Sequence, residues 1–416
     1  MDEARTTGGE ESRERLGDGA FALLLLASPA SALTIPSLGL ALPNLAFPLG
    51  SLAILVLWRR DLGDLLRRHA LLLSAVAALL AWTALSTLAS MKPETSVRHL
   101  VKSVLYAVTF AALLVRFAQG ERAKRSLRAL LALLAALGLL GVVESFFPAS
   151  PLFQLFRDER SLTILPRISS ILPWPNPYGV LMAAGVALSR RMASAGFVTR
   201  RTALLASLLF LSQAAQSGSR NAWGVVALVL VVEAVQGRRD GSSLGAVGLA
   251  GFFAAALVLL PVAAFQLRIE RSSPVARALL PEKYVGSTSL ADPLQSLSLR
   301  GRIWRLAGEC IRYQPVLGLG PGVFTRYATP PVMNRVGLNT HCLPLNLAVD
   351  LGLPGLALAA FVVAVLRPRR WLGLPAGAAL AALFAGQVVD CFLYEPVTLL
   401  VMMACAASVA APRPEP

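Results

Sequence analysis

One histidine and a few arginines are the residues in this 416-residue chain whose types and placement can do chemistry. His341 closes a long polar excursion that begins at Leu267, and stands just before the apolar run from Leu343. Neutral imidazole is the natural general base near pH 7. A lone histidine at an interface is more often structural, so elimination has to favour chemistry. No Ser–His–Asp arrangement, HExxH or Walker motif competes with it.

The arginines lie in two places. From Ser298 the excursion reads as a helix in which Arg300, Trp304, Ala307 and Ile311 share one face. Arg302, Arg305, Glu309 and Arg312 take the others, with Arg305 and Glu309 spaced for an i,i+4 pair. Arg300 is thus directed toward membrane or protein and Arg302 toward water. Plain interfacial anchoring is the bland reading of the Arg–Trp pair. The second place is Gln216-Ser-Gly-Ser-Arg-Asn221, where Arg220 opens a helix. A cation in the first turn opposes the helix dipole, which makes binding a more natural role than stabilisation. The run Pro315 to Gly322, with its three glycines, is either a turn or a set of N–H groups able to bind an anion. His69, His99 and the Pro-rich stretch Pro173 to Tyr178 read as interfacial or structural.

The elements that position these residues are apolar. With 56% hydrophobic and 15% charged residues and a mean hydropathy of +0.64, the chain is far from a soluble domain. It reads as an all-α, polytopic integral membrane protein. The net charge of +16 does not point to nucleic acid, because the basic residues fall in short clusters between apolar blocks. A spanning helix needs roughly 20 apolar residues. That ruler gives about twelve transmembrane helices, with the ninth at Leu244–Phe265 and the tenth at Leu343–Leu366.

Sidedness follows from Lys and Arg in the short connections. With the N-terminus inside, clusters such as Arg59, Arg60, Arg67 and Arg68, or Arg190, Arg191, Arg200 and Arg201, fall on the inner side. The short outer connections hold only Lys92, Arg98, Lys102, Arg157, Arg160, Arg167 and Arg220. Both termini are then cytoplasmic and the long loop, with its amphipathic helix, is extracytoplasmic. The expected order is a disordered cytoplasmic tail at 1–19, helices one to nine over 20–266, the loop at 267–342, helices ten to twelve over 343–411 and a short tail at 412–416. Glu144, Glu233, Asp350, Asp390 and Glu395 lie toward helix ends and read as interfacial charges. The halves do not mirror each other, which weakens a transporter or flippase reading. Of the four cysteines, Cys310 and Cys342 lie near enough in the loop for a pairing to be conceivable, and none has metal-site spacing.

Taken together, Ser217-Gly-Ser-Arg220, Arg300-x-x-x-Trp304, Pro315-Val-Leu-Gly-Leu-Gly-Pro-Gly-Val-Phe324, His341 and Asp350-Leu-Gly-Leu-Pro-Gly355 resemble the bacterial O-antigen ligase family and its O-antigen and exopolysaccharide polymerase relatives. The order and spacing of the motifs carry the resemblance, from about Trp174 to Leu356; the first five helices match by hydropathy alone. It implies a metal-independent, inverting membrane glycosyltransferase without a cofactor, working at the outer face of a bacterial inner membrane among membrane lipids. The implied donor is a glycan on undecaprenyl pyrophosphate. The implied acceptor is a hydroxyl of lipid A–core for a ligase, or of another lipid-linked repeat for a polymerase. Carried over residue by residue, Arg220 and Arg300 hold the pyrophosphate and His341 acts on the acceptor. Asp350 stands where Glu is frequent, and Gly301-Arg302 after the matched arginine leaves Arg302 open as an alternative phosphate ligand. The chemistry agrees, because guanidinium is bidentate toward phosphate and no DxD pair exists to hold a metal.

Overall fold

Helix forms where the apolar pattern calls for it. The structure, a computed structural model, describes residues 2–29, 34–35, 40–147, 150, 152–153, 168–172, 174–239, 293–327, 340–368, 371, 374–391 and 395–411. The first helices are α1 (Asp2–Ala27), α2 (Leu42–Leu57), α3 (Leu62–Arg68), α4 (Ala70–Leu88), α5 (Pro93–Phe117) and α6 (Gly120–Phe146). They are followed by α7 (Pro175–Ser194), α8 (Arg200–Gln216), α9 (Arg220–Arg239), α10 (Pro293–Tyr313) and α11 (Val323–Tyr327). The last are α12 (Leu343–Val365), α13 (Gly377–Val389) and α14 (Pro396–Ala410). Between α1 and α2, β1 (Thr34–Ile35) and β2 (Leu40–Ala41) form a two-residue antiparallel pair. The expected ninth span at Leu244–Phe265 lies outside the described residues, as does the loop before Pro293.

By length and composition, α4, α5, α6 and α12 are able to cross a membrane. Several start on a proline in the first turn, where its missing N–H costs nothing: Pro93 in α5, Pro175 in α7, Pro344 in α12 and Pro396 in α14. Leucines on α4 and α8, such as Leu71, Leu85, Leu205 and Leu208, stay exposed, as a lipid-facing surface requires. α7 is buried along nearly its whole length and lies against α8, α9 and α13. Small residues permit that approach, with Gly185 under the Phe210 ring and Gly386 of α13 under Val180. α7 is therefore a fixed post, and Asn176 in its first turn is held at one end of the bundle.

Two expectations are corrected. Where a disordered tail was expected over 1–19, α1 is helical from Asp2. Two of its acids pair with other helices: Glu14 forms an ion pair with Arg122 at 2.9 Å and another with Arg125, and Asp18 pairs with the buried Arg116. Glu14 and Asp18 are four residues apart and so share a helix face toward these cations. The acids read as interfacial charges are instead buried. Glu144 accepts from the backbone N–H of Ser169 and Ser170 at 2.9 and 2.6 Å, and Glu233 pairs with Arg190 and Arg191. Asp350 accepts from Asn346 at 3.0 Å. A carboxylate at membrane depth is tolerated when it is paired in this way.

α12 is kinked at Gly352 (φ 72°, ψ 178°), two residues before Pro354, and the kink frees backbone groups. The Pro315–Gly322 run takes them up. Leu319 N–H donates to the Val349 carbonyl at 2.9 Å, Gly320 N–H to Asp350 at 3.1 Å, and Leu353 N–H to Pro315 at 2.8 Å. Of the two readings of this run, the turn is the one observed. The N–H groups of Leu319 and Gly320 bond α12 rather than a bound anion. Serines of α4 and α5 fasten the other side: Ser86 Oγ donates to Leu317 O at 2.7 Å, and Ser96 Oγ to Pro321 O at 3.2 Å. His99 lies against Gly322, so it helps dock the loop rather than merely facing the interface.

This docking makes a sharp stability prediction. A Cβ on Gly352 would meet the Val316 carbonyl oxygen at 2.0 Å, and backbone cannot move aside. Left-handed φ adds about 1–2 kcal/mol for any other residue. Gly352→Ala is expected to lose well over 2 kcal/mol, read as a lowered unfolding temperature in detergent. Gly308→Ala is the control, since nothing lies within 4 Å of its would-be Cβ in the α10 interior. It is expected to be neutral or stabilising by up to about 1 kcal/mol.

Candidate active site

Four elements converge on His341. It stands two positions before α12, with φ 51°, one of three non-glycine residues at positive φ among those described. Bonds on both sides hold this backbone. The buried Thr340 donates through Oγ1 to the Cys342 carbonyl at 2.7 Å, and its own carbonyl accepts from Trp304 Nε1 at 2.8 Å. The Trp304 ring itself is 46% exposed. Its indole N–H, rather than its burial, is what ties α10 to the histidine.

The ring of His341 is fixed through Nδ1, which lies 2.8 Å from Asp390 Oδ1. Asp390 directly follows α13 and is buried, while the imidazole is 27% exposed. Asp390 is itself held twice more: Asn176 Nδ2 donates to Oδ2 at 2.8 Å, and Cys391 N–H to Oδ1 at 3.0 Å. Burial pushes the Asp390 carboxyl up. The hydrogen bond and charge of His341, the Asn176 amide and the charge of Arg300 outweigh it and hold the carboxyl below its ordinary value. An ionised Asp390 therefore fixes the tautomer with hydrogen on Nδ1, so that Nε2 is the basic nitrogen, and stabilises the imidazolium formed on proton uptake.

The arginines now separate. Arg300 is half-buried and its charge reaches Asp390, whereas Arg302 is exposed, as helical spacing anticipated. The inward face of α10 turns on Ile303 and Ala307, which pack with Leu319, Phe324 and Val349. Arg220 opens α9, and its side chain lies outside the described residues. The neighbouring Asn221 donates to the Gly386 carbonyl at 2.9 Å, which seats the start of α9 beside the last turn of α13, ahead of Asp390. Cys310 and Cys342 are both free thiols.

Asp390 and Asn176 escaped the sequence reading. They lie 49 and 165 residues from His341 in the chain, and each looked like an ordinary helix-end residue. The available signal was topological, since an acid after one helix and an amide opening another fall on the same side as His341.

The fold and this site define a multi-pass helical membrane protein with a histidine–carboxylate pair at one end of its bundle. Residues 202–360 match the family model described as O-antigen ligase, so that region is similar to the O-antigen ligase family. The match contains Arg220, Arg300, Arg302 and His341; Asn176 and Asp390 lie on either side of it. No curated protein matches the chain.

Proposed function

We propose that the chain transfers a glycan from undecaprenyl pyrophosphate to a sugar hydroxyl, of lipid A–core or a similar acceptor, at the outer face of a bacterial inner membrane. The observation that carries this is His341 Nδ1 held 2.8 Å from the buried Asp390 carboxylate, which the charge of Arg300 also helps hold below its ordinary value. His341 Nε2 takes the proton of the acceptor hydroxyl as its oxygen attacks the anomeric carbon from the face opposite the leaving group. The glycosidic C–O bond to pyrophosphate breaks, inverting that carbon. The developing charge on the departing pyrophosphate is neutralised by Arg300 and Arg220, with no metal required. The match of residues 202–360 to the O-antigen ligase model supports lipid-linked glycan substrates.

The decisive assay gives purified protein an undecaprenyl pyrophosphate-linked glycan together with lipid A–core or with a second lipid-linked repeat. Product on lipid A–core is expected. Product only on the second repeat makes the chain a polymerase, and no product on either refutes the reading.

The arginine assignment has its own test. Lysine keeps the charge of Arg300 but loses the bidentate fork, so Arg300→Lys is expected to lower transfer about tenfold. Arg302→Lys, at an exposed position, is expected to stay within about twofold. Full activity in Arg300→Lys reduces Arg300 to an anchor.

A further inference from the structure

One cavity in the structure lies far from His341. It has a volume of about 810 Å³ and lies between the start of α4 and the C-terminal ends of α12 and α14. α12 begins beside His341 and ends at this cavity, about 35 Å away at 1.5 Å per residue. The cavity is thus at the opposite end of the bundle and outside the transfer site. Its walls are mostly apolar, with Leu72, Phe361 and Val365 among them, and Arg68, His69 and Arg367 stand at the polar part.

Both guanidiniums are exposed, and neither meets a carboxylate among the described residues. The C-terminal helix dipoles of α3 and α12 favour a cation at each position separately. They do not explain why two cations from different helices border one apolar cavity. Arg367 adds a second observation. Its φ is 54°, at a post-helical position where glycine or asparagine is the relaxed choice. An arginine kept there against backbone preference points to use of its side chain. Burial, then the charge of Arg68, holds His69 below its ordinary value, so the two arginines supply the positive charge at neutral pH.

We propose that this cavity binds an anionic phospholipid, its phosphate between Arg68 and Arg367 and an acyl chain against Leu72, Phe361 and Val365. The pairing of two cations with an apolar wall fits an amphiphile. A soluble phosphate would leave the apolar wall without a partner.

The test reconstitutes the full chain in vesicles of equal phosphatidylglycerol and phosphatidylethanolamine and reads retained lipid by native mass spectrometry. The wild type is expected to retain phosphatidylglycerol about tenfold over phosphatidylethanolamine, and the Arg68→Gln, Arg367→Gly double variant to fall to near parity. Arg367→Gly alone is expected to lose about threefold with no drop in unfolding temperature, because glycine relaxes the positive φ. That single variant separates lost binding from lost folding. No preference in the wild type, or an unchanged preference in the double variant, overturns the proposal. Displacement of the lipid by inorganic phosphate at equal concentration also overturns it and assigns the site to a soluble anion.

Discussion

His341→Ala is expected to cut glycan transfer by about 10²- to 10⁴-fold, the range a positioned general base contributes. The alanine variant alone is open to challenge, because His341 sits at positive φ between the bonds of Thr340 and the start of α12. His341→Asn answers the challenge. Asparagine tolerates left-handed backbone, and its amide can still donate to Asp390, so the local fold is kept while the base is removed. Both variants are expected to be equally inactive in the purified assay, with the Asn protein matching wild type in yield and unfolding temperature. Transfer by His341→Asn within about threefold of wild type would show that His341 is structural.

The inward face of α10 was legible only in part: spacing grouped Arg300, Trp304, Ala307 and Ile311, and in the fold Ala307 is buried and Arg300 half-buried, but Ile303 takes the buried place expected of Trp304, which is exposed. The helical, membrane-spanning character was legible because apolar runs report where a chain leaves water, and four of the helices are long and apolar enough to cross a membrane. Contacts that join distant helices were not. Asp390 differs in no local way from Glu233, yet one faces His341 and the other pairs with Arg190 and Arg191. Which acid meets which partner depends on how α7, α9 and α13 pack, and glycines such as Gly386 decide that packing. The Pro315–Gly322 run was ambiguous because its N–H groups suit either an anion or a backbone carbonyl. The kink at Gly352 decides the matter by supplying the carbonyls.

Asp390→Asn is the complementary experiment, expected to lower transfer by about 10³-fold or more without removing the histidine. The amide can donate to His341 Nδ1, which favours the tautomer with hydrogen on Nε2 and leaves no base facing the acceptor. It also withdraws the charge that stabilises the imidazolium. A second readout separates this from simple destabilisation. The folded Asp390 carboxyl is held below its ordinary value, so its contribution to stability is fully present above about pH 4, where the unfolded carboxyl is ionised. That contribution is lost only as pH falls through the lower folded value. The stability gap between wild type and Asp390→Asn should therefore be constant from neutral pH down to about 4 and close below it. A gap that closes between pH 5 and 7 would mean that the carboxyl is not held low by His341, Asn176 and Arg300. Asn176→Ala removes one of those holds and leaves the His341 bond in place, so it is expected to cost about tenfold in transfer and to shift the closing point upward toward the ordinary carboxylate value.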